Sequence, residues 1–354
     1  MLFHVAGYLK HNIASLNVVH YVSFRAMAAL LSSLGLSFIC GSWFIKKSQQ
    51  FFKSKARPYT PHTHQLKNDM PTMGGIFIVF VVIMSTLLWC DLSQVIIWIA
   101  LGCLVGFSLI GALDDWKKIH KKGGISARLK MGLQLSVALL VALSWIYFVQ
   151  PSDQLCIPFF KNFNPSLGFL FVPWIVFVLV GTSNAVNLTD GLDGLAIGAL
   201  LSNFGTFSLI CYIAGHTALA GYLMIPFTGT SELAVFGASL CGASLGFLWY
   251  NTYPAQIIMG DVGSLGLGGV LAFMALACKQ EVLLAIAGGL FVIETVSVMI
   301  QVFSLKYFGK RMFRMAPLHH HFELKGWPES KITVRFCIIA FILSLLALMT
   351  LKIR

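Results

Sequence analysis

Five carboxylates stand in short polar stretches between long apolar runs: Asp114 and Asp115 in GALDDWKK, Asp190 and Asp193 in NLTDGLDG, and Asp261 in IIMGDVGS. Adjacent acids at a helix C-terminus repel one another and oppose the negative end of the helix dipole, so Asp114 and Asp115 require a cation nearby. A metal, a substrate proton or the neighbouring lysines, Lys117 and Lys118, would supply relief, and a solvated loop start beside those lysines is the competing explanation. If Asp190 and Asp193 share a helical turn, their spacing of three puts both on one face. No Lys or Arg in that loop neutralises them, its two glycines admit a bulky anionic ligand, and Asn187 can donate or accept a hydrogen bond. A purely structural turn is the alternative there. Asp261 stands at the expected start of a helix, where N-capping alone would account for one acid. It does not account for five acids brought to one side from three loops, and hard oxygen ligands of this kind suit Mg²⁺ held together with substrate phosphates.

A fourth stretch is basic and aromatic, PLHHHFELKGW at 317–327. Consecutive side chains on a regular element point in different directions, so a single metal site made from His319, His320 and His321 is strained. Imidazoles donating to phosphate or sugar fit better. In KNDMPTMGG at 67–75, a proline followed by Thr72 and two glycines marks a helix start with close backbone approach, and Lys67 beside it can meet an anion.

Those residues need a scaffold, and the composition names its solvent. With 57% hydrophobic and 11% charged residues, the 354-residue chain reads as an all-α, polytopic integral membrane protein. A span takes about 20 mostly apolar residues, and its backbone groups must be satisfied within the segment. Ten spans are expected near 24–45, 72–90, 94–113, 130–150, 168–187, 195–214, 233–250, 263–279, 282–305 and 334–352. The loops at 46–70, 114–130 and 306–335 hold 19 of the 25 Lys and Arg. The other set holds Lys10, Arg25, Lys161, Lys279, Lys352 and Arg354. Positive charge favours the cytoplasm, so both termini are expected outside and the acids at the cytoplasmic face.

The net charge of +12 is spread over juxtamembrane loops rather than gathered in one domain, which favours anionic lipids and phosphorylated substrates and argues against nucleic acid. Lys46 and Lys47 follow the first apolar run instead of preceding it, so that run is expected to be retained as a span rather than cleaved as a signal. Eight single cysteines without ligand spacing read as small buried hydrophobes. No repeat, low-complexity tract or long linker divides the chain, and one membrane domain over 1–354 is expected.

Taken together, PTMGG at 71–75, DD at 114–115, NLTDGLDGLA at 187–196, NTYPAQIIMGDVGSLGLGG at 251–269 and MAPLHHHFELKGWPE at 315–329 resemble the phospho-N-acetylmuramoyl-pentapeptide transferases, in the superfamily of polyprenyl-phosphate N-acetylhexosamine-1-phosphate transferases. The resemblance runs in order from about residue 20 to the C-terminus. It implies a Mg²⁺-dependent enzyme of the bacterial inner (cytoplasmic) membrane that moves phospho-MurNAc-pentapeptide from UDP-MurNAc-pentapeptide to undecaprenyl phosphate. The products are lipid I and UMP, in the first membrane step of peptidoglycan synthesis. It further implies a homodimer. By the same resemblance Asp261 is the metal ligand and Asp114 and Asp115 are essential acids near the lipid phosphate. Asn187, Asp190 and Asp193 lie around the nucleotide and pyrophosphate, and Lys67, Thr72, Asn251, His319, His320 and His321 are active-site positions, His320 among the catalytic ones. Two departures are local: Asp69-Met70 stands where relatives commonly have Gly-Thr, and Ile258 where many have an aromatic.

The accepting phosphate monoester has a second pKa of about 6, so charge screening is needed more than a base. Asp114 as base and a covalent aspartyl-phosphate route are the alternatives. Among competing functions, a sister transferase would carry GlcNAc-1-phosphate. A prenyltransferase would show DxxxD or DDxxD, whereas Asp114-Asp115 is followed here by Trp116-Lys117-Lys118. A transporter would place ionisable groups at mid-span, where this sequence has only Glu294.

Overall fold

The computed structural model describes residues 1–9, 14–52, 70–120, 123–160 and 163–352. Lys67 and Asp69 lie outside the described residues, as do Lys10, Lys161 and Arg354. The described chain is helical, with one isolated antiparallel bridge between Gln154 and Ser166. Its α-helices are α1 (Leu2–Leu9), α2 (Val22–Phe51), α3 (Gly74–Trp89), α4 (Val95–His120), α5 (Ala127–Val149), α6 (Phe171–Thr189) and α7 (Leu195–Ala214). They continue as α8 (Thr217–Leu223), α9 (Ser231–Asn251), α10 (Gly260–Ala277), α11 (Leu284–Ala287), α12 (Gly289–Phe308), α13 (Leu318–Glu323) and α14 (Glu329–Thr350).

Among the described residues nine helices are long and apolar enough to cross a membrane: α2, α4, α5, α6 with its preceding turn, α7, α9, α10, α12 and α14. The protein is a polytopic membrane protein. The second expected span, α3, has only 16 residues, about 24 Å at 1.5 Å per residue. It starts late because the segment before it is bonded elsewhere: Gly74 and Gly75 donate to the carbonyls of Ile258 and Met259 at 2.9 and 2.8 Å, and Ile258 donates to Pro71 at 2.9 Å. The expected span at 282–305 is likewise divided. A single turn, α11, precedes Gly288, and the long helix α12 begins only at Gly289.

Helix α10 is the axis of the bundle, packed by α4, α6, α3 and α7, with nearly every residue buried. Its sequence GDVGSLGLGG explains how so many neighbours fit. A Cβ on Gly266 would collide with Ser108 of α4, and one on Gly268 would press on the backbone of Ser183 in α6. Without a hydrophobic drive between helices in lipid, small residues that let backbones approach supply the packing. Helices α2 and α9 use the same device, with Gly242 against Ser33 and Gly246 against Ser37.

One end of this bundle gathers the end of α4 and the starts of α3, α5 and α10. The other end gathers Arg25, Trp89, Asp91 and Glu232. There the buried Arg25 guanidinium donates to both Glu232 oxygens, at 2.7 and 2.5 Å, and Glu232 also accepts from the Asp91 N–H at 2.9 Å.

Candidate active site

Helix α4 runs past the expected end of its span, to His120, so Asp114 and Asp115 lie inside the helix rather than at its C-terminus. Relief of their repulsion comes from the helix itself. Lys118, four residues after Asp114 and three after Asp115, shares their face and lies 2.8 Å from Asp114 Oδ2 and 3.3 Å from Asp115 Oδ1. Lys117, one residue earlier, is exposed. Of the two lysines read in the sequence, the helical phase selects Lys118.

Asp261 is the second residue of α10, as expected, yet its side chain is not spent on capping its own helix. It faces α4 and α5, with Oδ2 at 3.0 Å from Lys118 Nζ and 2.5 Å from Lys130 Nζ. Lys130 also reaches Asp114 Oδ2 at 3.3 Å. One ammonium nitrogen, that of Lys118, therefore has oxygens of Asp114, Asp115 and Asp261 all within 3.3 Å. The approach of α4 to α10 depends on Gly111, whose Cβ would collide with the Asp261 carbonyl. Asp115 Oδ2 accepts from the Val262 N–H at 3.3 Å and so fills the capping role at the start of α10. Asp114 Oδ1 accepts from the Ile125 N–H at 2.7 Å, tying down the turn before α5.

Sequence reasoning passed over Lys130. A signal was present: a cation in the first turn of a helix opposes the positive end of the dipole, and it persists there only with anionic partners. Ser126 starts that helix, its hydroxyl accepting from the Leu129 N–H at 3.3 Å.

The second acidic pair does not share a helical turn. Helix α6 ends at Thr189, and residues 190–194 form a turn closed by Gly194 at positive φ. Asp193 faces away from the lysines: Oδ2 accepts from the Ala255 N–H at 3.1 Å, and its own N–H donates to Glu329 of α14 at 2.8 Å. Asp190 lies within electrostatic reach of the other acids. Desolvation, followed by the carboxylates of Asp261, Asp115 and Asp193, pushes its carboxyl well above the usual carboxylate range. Asn251 bonds on both sides, accepting from the Gly194 N–H at 3.0 Å and donating to the Ile257 carbonyl at 2.8 Å. Asn187 donates to Ser264 of α10 at 2.8 Å. Thr72 is buried, its carbonyl accepting from Ser48 at 2.9 Å. The glycines of PTMGG face protein: a Cβ on Gly75 would collide with the backbone of Val262 and Gly263.

Helix α13 carries the histidines. His319 is fully buried, with Nδ1 3.4 Å from Glu294 and Nε2 against Gly191 of the Asp190 turn. His320 Nδ1 lies 3.1 Å from Glu323, and His321 Nδ1 accepts from the Arg314 N–H at 3.1 Å. That bond fixes His321 as the tautomer with its proton on Nε2, a donor. Partial burial and the nearby Lys325 and Arg314 charges lower its pKa below the ordinary histidine value.

Carboxylates of α4 and α10 focused on shared lysines, beside the half-buried Asp190 and a helix of imidazoles, make a site for phosphate chemistry. The comparisons agree. A profile described as glycosyl transferase family 4 matches residues 97–279, which include all five acids. A phospho-N-acetylmuramoyl-pentapeptide-transferase of Geobacter sp. (strain M21) is 50% identical over 358 residues, covering 100% of both chains. Enzymes with the same name from Maridesulfovibrio salexigens and Syntrophus aciditrophicus are 48% and 46% identical, again over 100% of both chains. The chain belongs to this transferase family. Family membership makes it a transferase acting on a nucleotide sugar and a polyprenyl phosphate, and enzymes of this family generally depend on divalent cations.

Among the described residues no three His, Cys, Asp or Glu side chains are arranged around a metal position. The donor chemistry nonetheless fits a hard divalent cation. Three carboxylates already converge within 3.3 Å of one cationic nitrogen, and such ions take their remaining ligands from water and phosphate.

Proposed function

We propose that this chain transfers phospho-MurNAc-pentapeptide from UDP-MurNAc-pentapeptide to undecaprenyl phosphate, forming lipid I and UMP, with Mg²⁺ held by Asp261 beside Asp114 and Asp115. The observation that carries the reading is the convergence of Asp114, Asp115 and Asp261 on Lys118, in a chain whose full-length relatives bear the transferase name. When bound, the cation supplies positive charge where two phosphates must approach.

An oxygen of the lipid phosphate forms a bond to the phosphorus that carries the sugar, and the bond from that phosphorus to UMP breaks. Lys118 and Lys130 supply fixed positive charge to screen the approach of two anions. His320 and His321 donate to phosphate or sugar oxygens, the latter through Nε2. Asp190, close to the other acids, borders the pyrophosphate. Asp193, Asn251, Asn187 and Thr72 shape the pocket through the loops they bond, and Lys67 contributes a further cation. The test is UMP release in detergent, where there are no separate compartments. Release should require undecaprenyl phosphate and UDP-MurNAc-pentapeptide; release with UDP-GlcNAc instead would assign the sister activity, and none with either would remove the transferase reading.

Asp114 is engaged by Ile125, Lys118 and Lys130, which supports an organising role over that of a base. Asp114→Asn is therefore expected to lose activity by a factor that stays nearly constant as pH rises past about 6, where the acceptor dianion predominates anyway. A pH-rate comparison with the parent at saturating Mg²⁺ and lipid phosphate measures this, and marked recovery at high pH would restore the base.

The orientation follows from the positive loops: 46–70, 114–130 and 306–335 face the cytoplasm of a bacterial inner membrane, and both termini face outward. With the half-exposed Cys40 and Cys337 replaced by serine, cysteines placed in 46–70 or 306–330 should resist an impermeant thiol reagent until the membrane is opened. Labelling in intact cells would invert the topology. The single membrane domain is taken to assemble as a homodimer, which the mass of the purified particle checks.

A further inference from the structure

Glu294 is fully buried within α12, the wrong place for a carboxylate unless it is fully engaged. Its two oxygens reach out of the span to the histidine helix. Oε2 accepts from the Leu318 N–H at 2.6 Å, Oε1 accepts from the His319 N–H at 3.2 Å, and the His319 ring nitrogen Nδ1 lies 3.4 Å from Oε1. Helix α13 has only six residues, too few to hold itself in water or lipid. The first N–H groups of any helix lack intrahelical partners, and here Pro317 offers no side-chain cap. The Glu294 carboxylate supplies both missing acceptors.

Those bonds have a consequence at the acidic turn. With its backbone N–H held by Glu294, His319 turns Nε2 onto Gly191, where a Cβ would collide with that nitrogen. Gly191 adjoins Asp190, whose carboxyl senses Asp261 and Asp115. His320 and His321 follow on the same short helix, so their ring positions depend on the same anchor.

We propose that Glu294 is a positioning residue: its buried carboxylate sets the register of α13, wedging His319 against the Asp190 turn and aiming His320 and His321 at the phosphates. The kinetic part of this inference rests on the transferase reading, whereas the backbone anchoring does not.

The test uses the full chain purified in detergent. Residue-resolved hydrogen exchange on the parent should show the Leu318 and His319 amides strongly protected, although they open a helix; exchange at the rate of an open loop would overturn the anchor without any variant. Glu294→Gln keeps the size but offers one acceptor oxygen instead of two. Its Leu318 and His319 amides should lose protection while spans elsewhere keep theirs, and kcat for UMP release should fall about 10²-fold with KM for the nucleotide sugar little changed. Glu294→Asp, which keeps both oxygens on a shorter arm, should recover part of that kcat. A folded Glu294→Gln with parental amide protection and parental kcat would sink the proposal. If the glutamine variant does not fold, the parent's exchange pattern and the aspartate variant decide. A parent that exchanges as expected but releases no UMP would count against the transferase reading alone.

Discussion

Asp261→Asn is expected to abolish UMP release while leaving the protein folded. The carboxylate stands 2.5 Å from Lys130 and 3.0 Å from Lys118, where the proposed Mg²⁺ and both phosphates must meet. Removing one preorganised charged group from such a site typically costs 10²–10³-fold, and Asp261 is proposed to hold the cation as well, so a loss of about 10³-fold or more is expected. The fold should survive because neither lysine is left unpaired: Lys118 keeps Asp114 and Asp115, and Lys130 keeps Asp114. Turnover at saturating substrates, beside thermal unfolding of the same preparation, separates the two effects. Chelation with EDTA should mimic the variant, and added Mg²⁺ should reverse the chelation but not the substitution. Parental turnover in Asp261→Asn, or full activity in EDTA, would remove Asp261 from the centre of the mechanism.

Arg25→Met should produce the largest loss of stability with the smallest change in intrinsic turnover. Arg25 and Glu232 are buried with two short bonds between them, and Phe3 packs over the guanidinium at 4.4 Å from its ring centre. Truncating one partner leaves an uncompensated buried charge, a cost of about 3–5 kcal/mol. The Asp91 N–H alone would then face the Glu232 carboxylate. Replacing both, as Arg25→Met with Glu232→Met, removes the stranded charge and should recover most of the loss. Thermal or denaturant unfolding in one detergent reads the single and double variants. The pair lies at the end of the bundle remote from the acids, separated from them by the length of α3, so folded Arg25→Met should keep the parental kcat. A double variant no more stable than the single one would show that the pair contributes through more than its charges.

The helical, membrane-spanning character of the chain is written locally. An apolar run of about 20 residues has one way to satisfy its backbone in lipid, so composition along the chain marks where the spans lie, though not where they break or stop. The identity of the acids was legible too, because carboxylates between apolar spans are costly and stand out. Their arrangement was not. The expected stop of the third span at 113 made Asp114 and Asp115 terminal, whereas α4 runs to His120 and provides its own counter-charge in Lys118.

Asp190 and Asp193, read as one face, part company because α6 ends between Thr189 and the turn, and the two side chains serve different neighbours. Spacing of three means one face only if the backbone is helical there, and a turn held by Glu329 and Asn251 is not. Lys130 joins the acids from sixteen residues beyond Asp114, and Glu294 reaches from within α12 to the first residues of α13. Sequence alone therefore determined the solvent, the helices, the family and the residues that carry charge, since each follows from a residue and its near neighbours. Only the tertiary structure decided which lysine meets which acid, which polar groups hold loops and which face the site. Those pairings depend on the rotation of each helix about its axis and on the glycine contacts that set how closely α3, α4 and α6 approach α10.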